Sequence, residues 1–168
     1  MVAAKLAPMI GAGSVKQKFS GELVEGQLDG MKTAVLCPGT FMNASGQSVR
    51  QAVDFYRLTP ADVLVVCDDL NLPLAQLRIR GKGSSGGQKG LADIVRHLAT
   101  EEIPRLRIGI DSAPPGWAVP DYVLSKFRKS EEKEVEAATT QAAYAAVDWV
   151  TRGIGYCMNH YNVKKPTN

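Results

Sequence analysis

The chain has 168 residues and a mass of 18.1 kDa, with 45% hydrophobic and 22% charged residues, which excludes disordered and fibrous architectures. Its net charge of +3 permits nucleic-acid binding without demanding it, and no apolar run approaches the ~18 residues of a bilayer span. Cys37, Cys67 and Cys157 lie far apart with no CxxC pair, so neither a disulfide framework nor a zinc site is suggested. The start carries no secretory h-region, and a soluble cytoplasmic protein is the expectation.

Residues 1–10 predict a short amphipathic helix with Val2, Leu6 and Met9 on one face, closed by Gly11-Ala12-Gly13. Residues 19–25 and 32–37 read as two strands joined by the hairpin signal Asp29-Gly30. Pro38-Gly39 opens the loop Thr40-Phe41-Met42-Asn43-Ala44, and Ser45 is the expected cap of a helix with Val49, Ala52, Val53 and Tyr56 inward. The run Val63-Leu64-Val65-Val66-Cys67 has the character of a strand buried on both faces, and it stops at Asp68-Asp69. Leu77-Arg78-Ile79-Arg80 alternates, which predicts one wet, basic face. A Gly-rich stretch, residues 81–90, leads into a helix burying Leu91, Ile94, Val95 and Leu98. Residues 106–110 form a further strand, and Pro114-Pro115-Gly116-Trp117 a rigid loop. Ser130 opens a long helix with Glu131, Glu132 and Glu134 in its favourable first turns. Gly153 stops it, a short helix reaches Tyr161, and residues 164–168 are expected to fray.

This alternation, without internal repeat or linker, predicts one α/β domain over residues 1–168, with a mixed, mostly parallel twisted sheet flanked by helices. A chain of this class that opens with a helix lacks the usual first strand.

Several segments offer chemistry. Gly81-Lys82-Gly83-Ser84-Ser85-Gly86 satisfies G-x-G-x-x-G after a strand and before a helix, with Glu101 and Glu102 at about the ribose-binding distance. Against a dinucleotide site, the preceding strand alternates with arginines and the helix begins only after Gly90. No acidic residue falls between Asn71 and Ala92, whereas Arg78, Arg80, Lys82 and Lys89 do. A cationic loop that brings backbone amides and Lys89 to phosphates fits better, and glycines serving turn geometry alone would look the same. Asp68 and Asp69 follow a buried run at a strand's carboxyl end, where one of them can orient a histidine or hold a metal, or simply close a turn. Cys67 has no basic neighbour in sequence and reads as a core thiol before a nucleophile. Asn43 can donate to an oxyanion or hold a water, and Phe41 can stack on a base or substrate ring; a plain turn uses such residues too. Of the two histidines, His97 is expected on a solvent-facing side of its helix and His160 near the chain end, neither placed as a general base.

Four motifs occur in order: residues 38–46 (Pro-Gly-Thr-Phe-Met-Asn-Ala-Ser-Gly), 66–73 (Val-Cys-Asp-Asp-Leu-Asn-Leu-Pro), 86–91 (Gly-Gly-Gln-Lys-Gly-Leu) and 105–110 (Arg-Leu-Arg-Ile-Gly-Ile). Together they resemble the bacterial-type peptidyl-tRNA hydrolase family over nearly the whole chain. The resemblance implies a cofactor-free, metal-free esterase that cuts the ester joining a peptide to the 3′-terminal ribose of tRNA. In that chemistry a histidine activates water, an aspartate orients the histidine, and an asparagine positions water and stabilises the oxyanion. Asn43 stands at the position of the family's catalytic asparagine and Asp68 at that of the orienting aspartate. Phe41 matches a substrate-contacting aromatic, and Arg80 and Arg107 match basic positions implicated in holding tRNA phosphates. Gln88-Lys89 replace the family's usual His-Asn before Gly-Leu, which keeps a polar reach toward substrate and turns a neutral amide into a cation. The family's opening strand, its Gly-Leu-Gly-Asn-Pro-Gly loop and the segment carrying the histidine have no counterpart in residues 1–168. The expectation is an N-terminally truncated member with impaired hydrolysis, monomeric and without membrane contact, whose partner is peptidyl-tRNA. A non-catalytic tRNA-binding homologue is the alternative, and a dinucleotide-binding domain a more distant one.

Overall fold

Asp29 and Gly30 both take positive φ, 46° and 82°, the backbone a two-residue hairpin turn needs. The turn joins β2 (Gly21–Leu28) to β3 (Met31–Pro38), and β1 (Lys16–Lys18) pairs on the other side of β2, all antiparallel. The computed structural model describes residues 1–162. A second three-stranded sheet has the order β4 (Val65–Asp69), β6 (Arg105–Gly109), β5 (Leu77–Arg80). Helices α1 (Val2–Met9), α2 (Ser45–Tyr56), α3 (Lys89–Leu98), α4 (Val119–Val123) and α5 (Lys129–Tyr161) surround them.

The α/β class is as expected, but the strands form two small sheets, and β4–β6 is the one parallel pairing among the described residues. Short turns between β1, β2 and β3 force antiparallel neighbours, and β6 lies parallel to β4 only after a long connection that contains α3. The apolar run before Asp68 also differs from the reading of a strand buried on both faces. The strand starts at Val65, and Val66 is 37% exposed. The unpaired edges of β3 and β4 border a common cavity of about 1080 Å³, with Val35, Leu36 and Cys37 on one side and Val65, Val66 and Cys67 on the other. The run is apolar because Val63 and Val65 pack on the cluster between α2 and α3, Leu64 packs on the core beneath α5, and Val66 borders this cavity.

Ser45 does not cap α2. Ala44 is the N-cap residue, and Ser45 Oγ donates back to the Met42 carbonyl at 3.0 Å. The exposed amides are served from α3 instead, where Asp93 Oδ2 accepts from Gly46 N at 2.7 Å. Gly46 has to be glycine there, since a Cβ would lie 2.3 Å from the Asp93 carbonyl oxygen.

The main core lies between β5–β6 and α5, where Leu77, Ile79 and Leu106 pack on Ala142, Ala145 and Cys157. Alanines let the helix approach closely, and each large side chain buried there contributes about 1.5–3 kcal/mol. A second cluster, Val53, Ile94, Leu98 and Ile103, joins α2 to α3. Gly153 interrupts α5 with φ 83° and ψ 171°, as its position in the sequence suggests. The chain then folds back, so that Tyr161 donates to Asp148 at 2.5 Å and the Asn162 side chain accepts from Ile79 N at 2.6 Å and donates to its carbonyl at 3.0 Å. The expected fraying of residues 164–168 lies outside the described residues. Short β1 and α4 carry no period long enough to be read from sequence.

Candidate active site and nucleic-acid face

Three segments meet at Gln88. It ends the Gly-rich loop as the N-cap of α3, and its Oε1 accepts from Leu91 N at 2.7 Å. Its amide nitrogen is left to donate to Asp68 Oδ1 at 3.2 Å, and the same nitrogen lies 3.4 Å from Met42 Sδ. Gln88 therefore faces inward, toward the carboxylate, although the sequence suggested contact with substrate. Met42 belongs to a 3₁₀ turn, Met42–Ala44, that seats on the start of α3; a Cβ at Gly90 would come within 2.8 Å of its sulfur. Asn43 follows Met42, and its exposed side chain makes no hydrogen bond among the described residues. Phe41 is 87% exposed. Asn43 and Asp68 thus belong to one end of the molecule, linked through Met42 and Gln88.

Asp68 and Asp69 divide their roles. Asp68 is half-buried and lines the cavity between β3 and β4. Asp69 is buried, with Oδ1 accepting from Asn71 N at 2.9 Å and Oδ2 2.7 Å from Arg107 Nη2. The carboxylate left to face a reactant is Asp68.

Behind the Gly-rich loop, the β5–β6 register sets Arg78 opposite Arg107 and Arg80 opposite Arg105. All four side chains share one face, because Leu77, Ile79, Leu106 and Ile108 take the other. Like charges directly across a ladder are destabilising, and Asp69 is the one carboxylate that ion-pairs with any of them among the described residues. Arg80 and Lys89 are exposed. Arg107 is less free than the sequence suggested, since it pairs with Asp69 and lies against Gly86, where a Cβ would sit 2.5 Å from its Nη2. Arg78 and Arg80, which ion-pair with no carboxylate among the described residues, and exposed Lys89 leave this face with positive charge suited to a polyanion.

A sequence model of the peptidyl-tRNA hydrolase family matches residues 1–168. The chain belongs to that family. It is 53% identical over 150 residues to the peptidyl-tRNA hydrolase of Rhodopirellula baltica, covering 89% of this chain and 79% of that one. With the Brevibacillus brevis enzyme it shares 38% identity over 161 residues, 96% of this chain and 85% of the other. The crystal structure of peptidyl-tRNA hydrolase from Acinetobacter baumannii superimposes with a TM-score of 0.89 at 32% identity, over 99% of this chain and 85% of that chain. Peptidyl-tRNA hydrolases act on the ester bond of peptidyl-tRNA, and the α/β fold here is theirs. No helix among the described residues is long and apolar enough to cross a membrane.

Other sequence candidates take structural places in this family member. Burial, with Asp68 beside it, pushes the Cys67 thiol up to about 12, so it stays a neutral thiol. His97 does not face solvent as expected. Close α2–α3 packing half-buries it, with Nδ1 2.9 Å from the Asp93 carbonyl. His160 stacks on Tyr156 with ring centroids 5.3 Å apart, and neither histidine bonds to Asp68. The dinucleotide fingerprint is not read out, because α3 begins only at Lys89 and Arg105 occupies the carbonyls of Gly83 and Ser84. Arg105 itself carries no sequence signal that separates it from Arg107, two residues on.

Proposed function

We propose that the chain, as a cytoplasmic monomer, provides the tRNA face and the Asn43–Asp68 part of a site that hydrolyses the ester between a peptide and the 3′-terminal ribose of tRNA. The observation that carries this reading is the link Met42–Gln88–Asp68, which sets an unoccupied Asn43 amide and a half-buried carboxylate at one end, beside the arginine face. As water adds to the ester carbonyl, the Asn43 amide donates to the developing oxyanion; one such donor is worth about 2.7–4 kcal/mol. Asp68 orients the histidine that takes the proton from water and returns it to the departing ribose oxygen. That histidine, we propose, comes from a segment outside residues 1–168. The apolar cavity between two unpaired strand edges supports this, because a strand seated there would satisfy both edges and end beside Asp68. Phe41 stacks on a base and Arg80 and Lys89 meet phosphates, while Arg107, ion-paired with Asp69, contributes less.

The test is hydrolysis of an N-acetyl-aminoacyl-tRNA by residues 1–168 and by the same chain carrying an N-terminal extension with the histidine. The expected result is slow or absent turnover by the first and a gain of ~10²–10⁴-fold in the second. Equal turnover by both would contradict the division of labour. A second reading, tRNA binding without hydrolysis, is favoured by the arginine face, which needs no histidine; binding by both forms with turnover by neither would select it.

A further inference from the structure

We propose that Arg105 is a positioning residue for tRNA: it shapes the loop of residues 83–87 into a cradle for a backbone phosphate that it does not itself touch. The inference rests on the proposed tRNA binding. Arg105 is 2% exposed, and no carboxylate ion-pairs with it among the described residues. Its guanidinium is satisfied by backbone carbonyls alone: Nε donates to Ile103 at 2.7 Å, Nη2 to Glu101 at 3.0 Å, and Nη1 to Ser84 at 3.0 Å and to Gly83. Burying a cation without a counter-ion is costly, and an apolar side chain of similar volume would avoid that cost, so its presence needs a use.

The use follows from what these bonds leave over. Arg105 draws in the carbonyls of Gly83 and Ser84, Gln88 N takes that of Ser85 at 3.2 Å, and Asn71 Nδ2 approaches that of Gly86 at 3.4 Å. With its carbonyls engaged, the loop leaves the N–H groups of residues 84–87 without a hydrogen-bond partner among the described residues, while Gly83 N is closed onto Glu101 at 3.1 Å. Gly83, Gly86 and Gly87 hold this path at φ +133°, +61° and +88°, conformations that L side chains rarely adopt. Four consecutive amides without a partner among the described residues, between exposed Arg80 and Lys89, can receive an anion, and a tRNA phosphate is the anion this face is charged to meet. Lysine cannot replace Arg105, because one ammonium cannot span carbonyls on both sides of it as the planar fork does.

Equilibrium binding of deacylated tRNA over a range of salt separates positioning from contact. Arg105→Lys keeps the charge, so Kd is expected to rise about tenfold at fixed salt while the slope of log Kd on log salt stays that of the wild type. Arg80→Gln, the direct-contact control, is expected to lower the slope by ~0.9. If the lysine variant does not fold, Gly83→Ala, which moves a carbonyl that Arg105 holds and leaves every charge in place, is expected to show the same loss with the same slope. Wild-type affinity in the folded Arg105→Lys variant, or in Gly83→Ala, would overturn the inference alone. Arg105→Gln, which removes the charge, is expected to leave the slope unchanged as well; a slope reduced as in Arg80→Gln would make Arg105 a contact residue and overturn the inference too. No binding by the wild type at low salt would overturn the tRNA reading, and this inference with it.

Discussion

The two faces of the β5–β6 ribbon share one backbone and solve different problems. On one, Leu77, Ile79, Leu106 and Ile108 pack toward α5 and leave water. On the other, Arg78 faces Arg107 and Arg80 faces Arg105, an arrangement that weakens the sheet it sits on. Apolar burial is concentrated on the first face, and the charge available for binding on the second, where Arg80 is exposed while Arg105 and Arg107 are held by backbone carbonyls and by Asp69. Substitutions on the two faces should therefore separate cleanly.

The largest expected effect is on the apolar face. Leu106→Ala, at a fully buried position, should lower the unfolding free energy by about 2–5 kcal/mol in urea titrations, with tRNA affinity of the folded protein unchanged. A matching loss of affinity would mean that the faces are coupled. Asp69→Asn alters the polar face, because it removes the counter-ion of Arg107. A loss of about 1–3 kcal/mol in stability is expected, together with tighter tRNA binding in filter assays, as Arg107 becomes a free cation. Arg80→Gln reverses that pattern: unfolding within about 0.5 kcal/mol of the wild type, with weaker and less salt-dependent binding.

A smaller, pH-dependent effect belongs to the α2–α3 contact that carries neither face. Burial alone pushes the Asp93 carboxyl up, but Arg96, the Gly46 amide and His97 outweigh it and hold it below its ordinary value. Its stabilisation is accordingly complete above the ordinary carboxylate range and fades as pH falls through the lower folded-state value. The urea midpoint of the wild type should drop on acidification below about pH 4, and Asp93→Asn should flatten that limb.

Local features were legible in the sequence because their causes are local. Asp29-Gly30 turns the hairpin, Gly153 breaks α5, and the alternation from Leu77 to Arg80 separates an apolar from a basic side. The four motifs were enough to bring Asn43, Asp68, Phe41 and Arg80 into one account. What stayed hidden depends on partners distant along the chain. Ser45 looks like a cap, yet the cap is Asp93, 47 residues on. Gln88 looks like a substrate contact, yet Asp68, 20 residues back, takes its amide. Arg105 and Arg107 are alternate residues of one strand with the same expected exposure, and only the path of the Gly-rich loop decides which of them is covered. The split into two sheets has the same origin, since β3 and β4 meet a cavity instead of each other.

The most direct measurement compares deacylated-tRNA binding by the wild type, Arg80→Gln and Asp68→Asn across a salt series. Binding through the basic face predicts strong salt dependence for the wild type, an unchanged curve for Asp68→Asn, and a weaker, shallower one for Arg80→Gln. Superimposable curves for all three, or a wild-type affinity indifferent to salt, would contradict it.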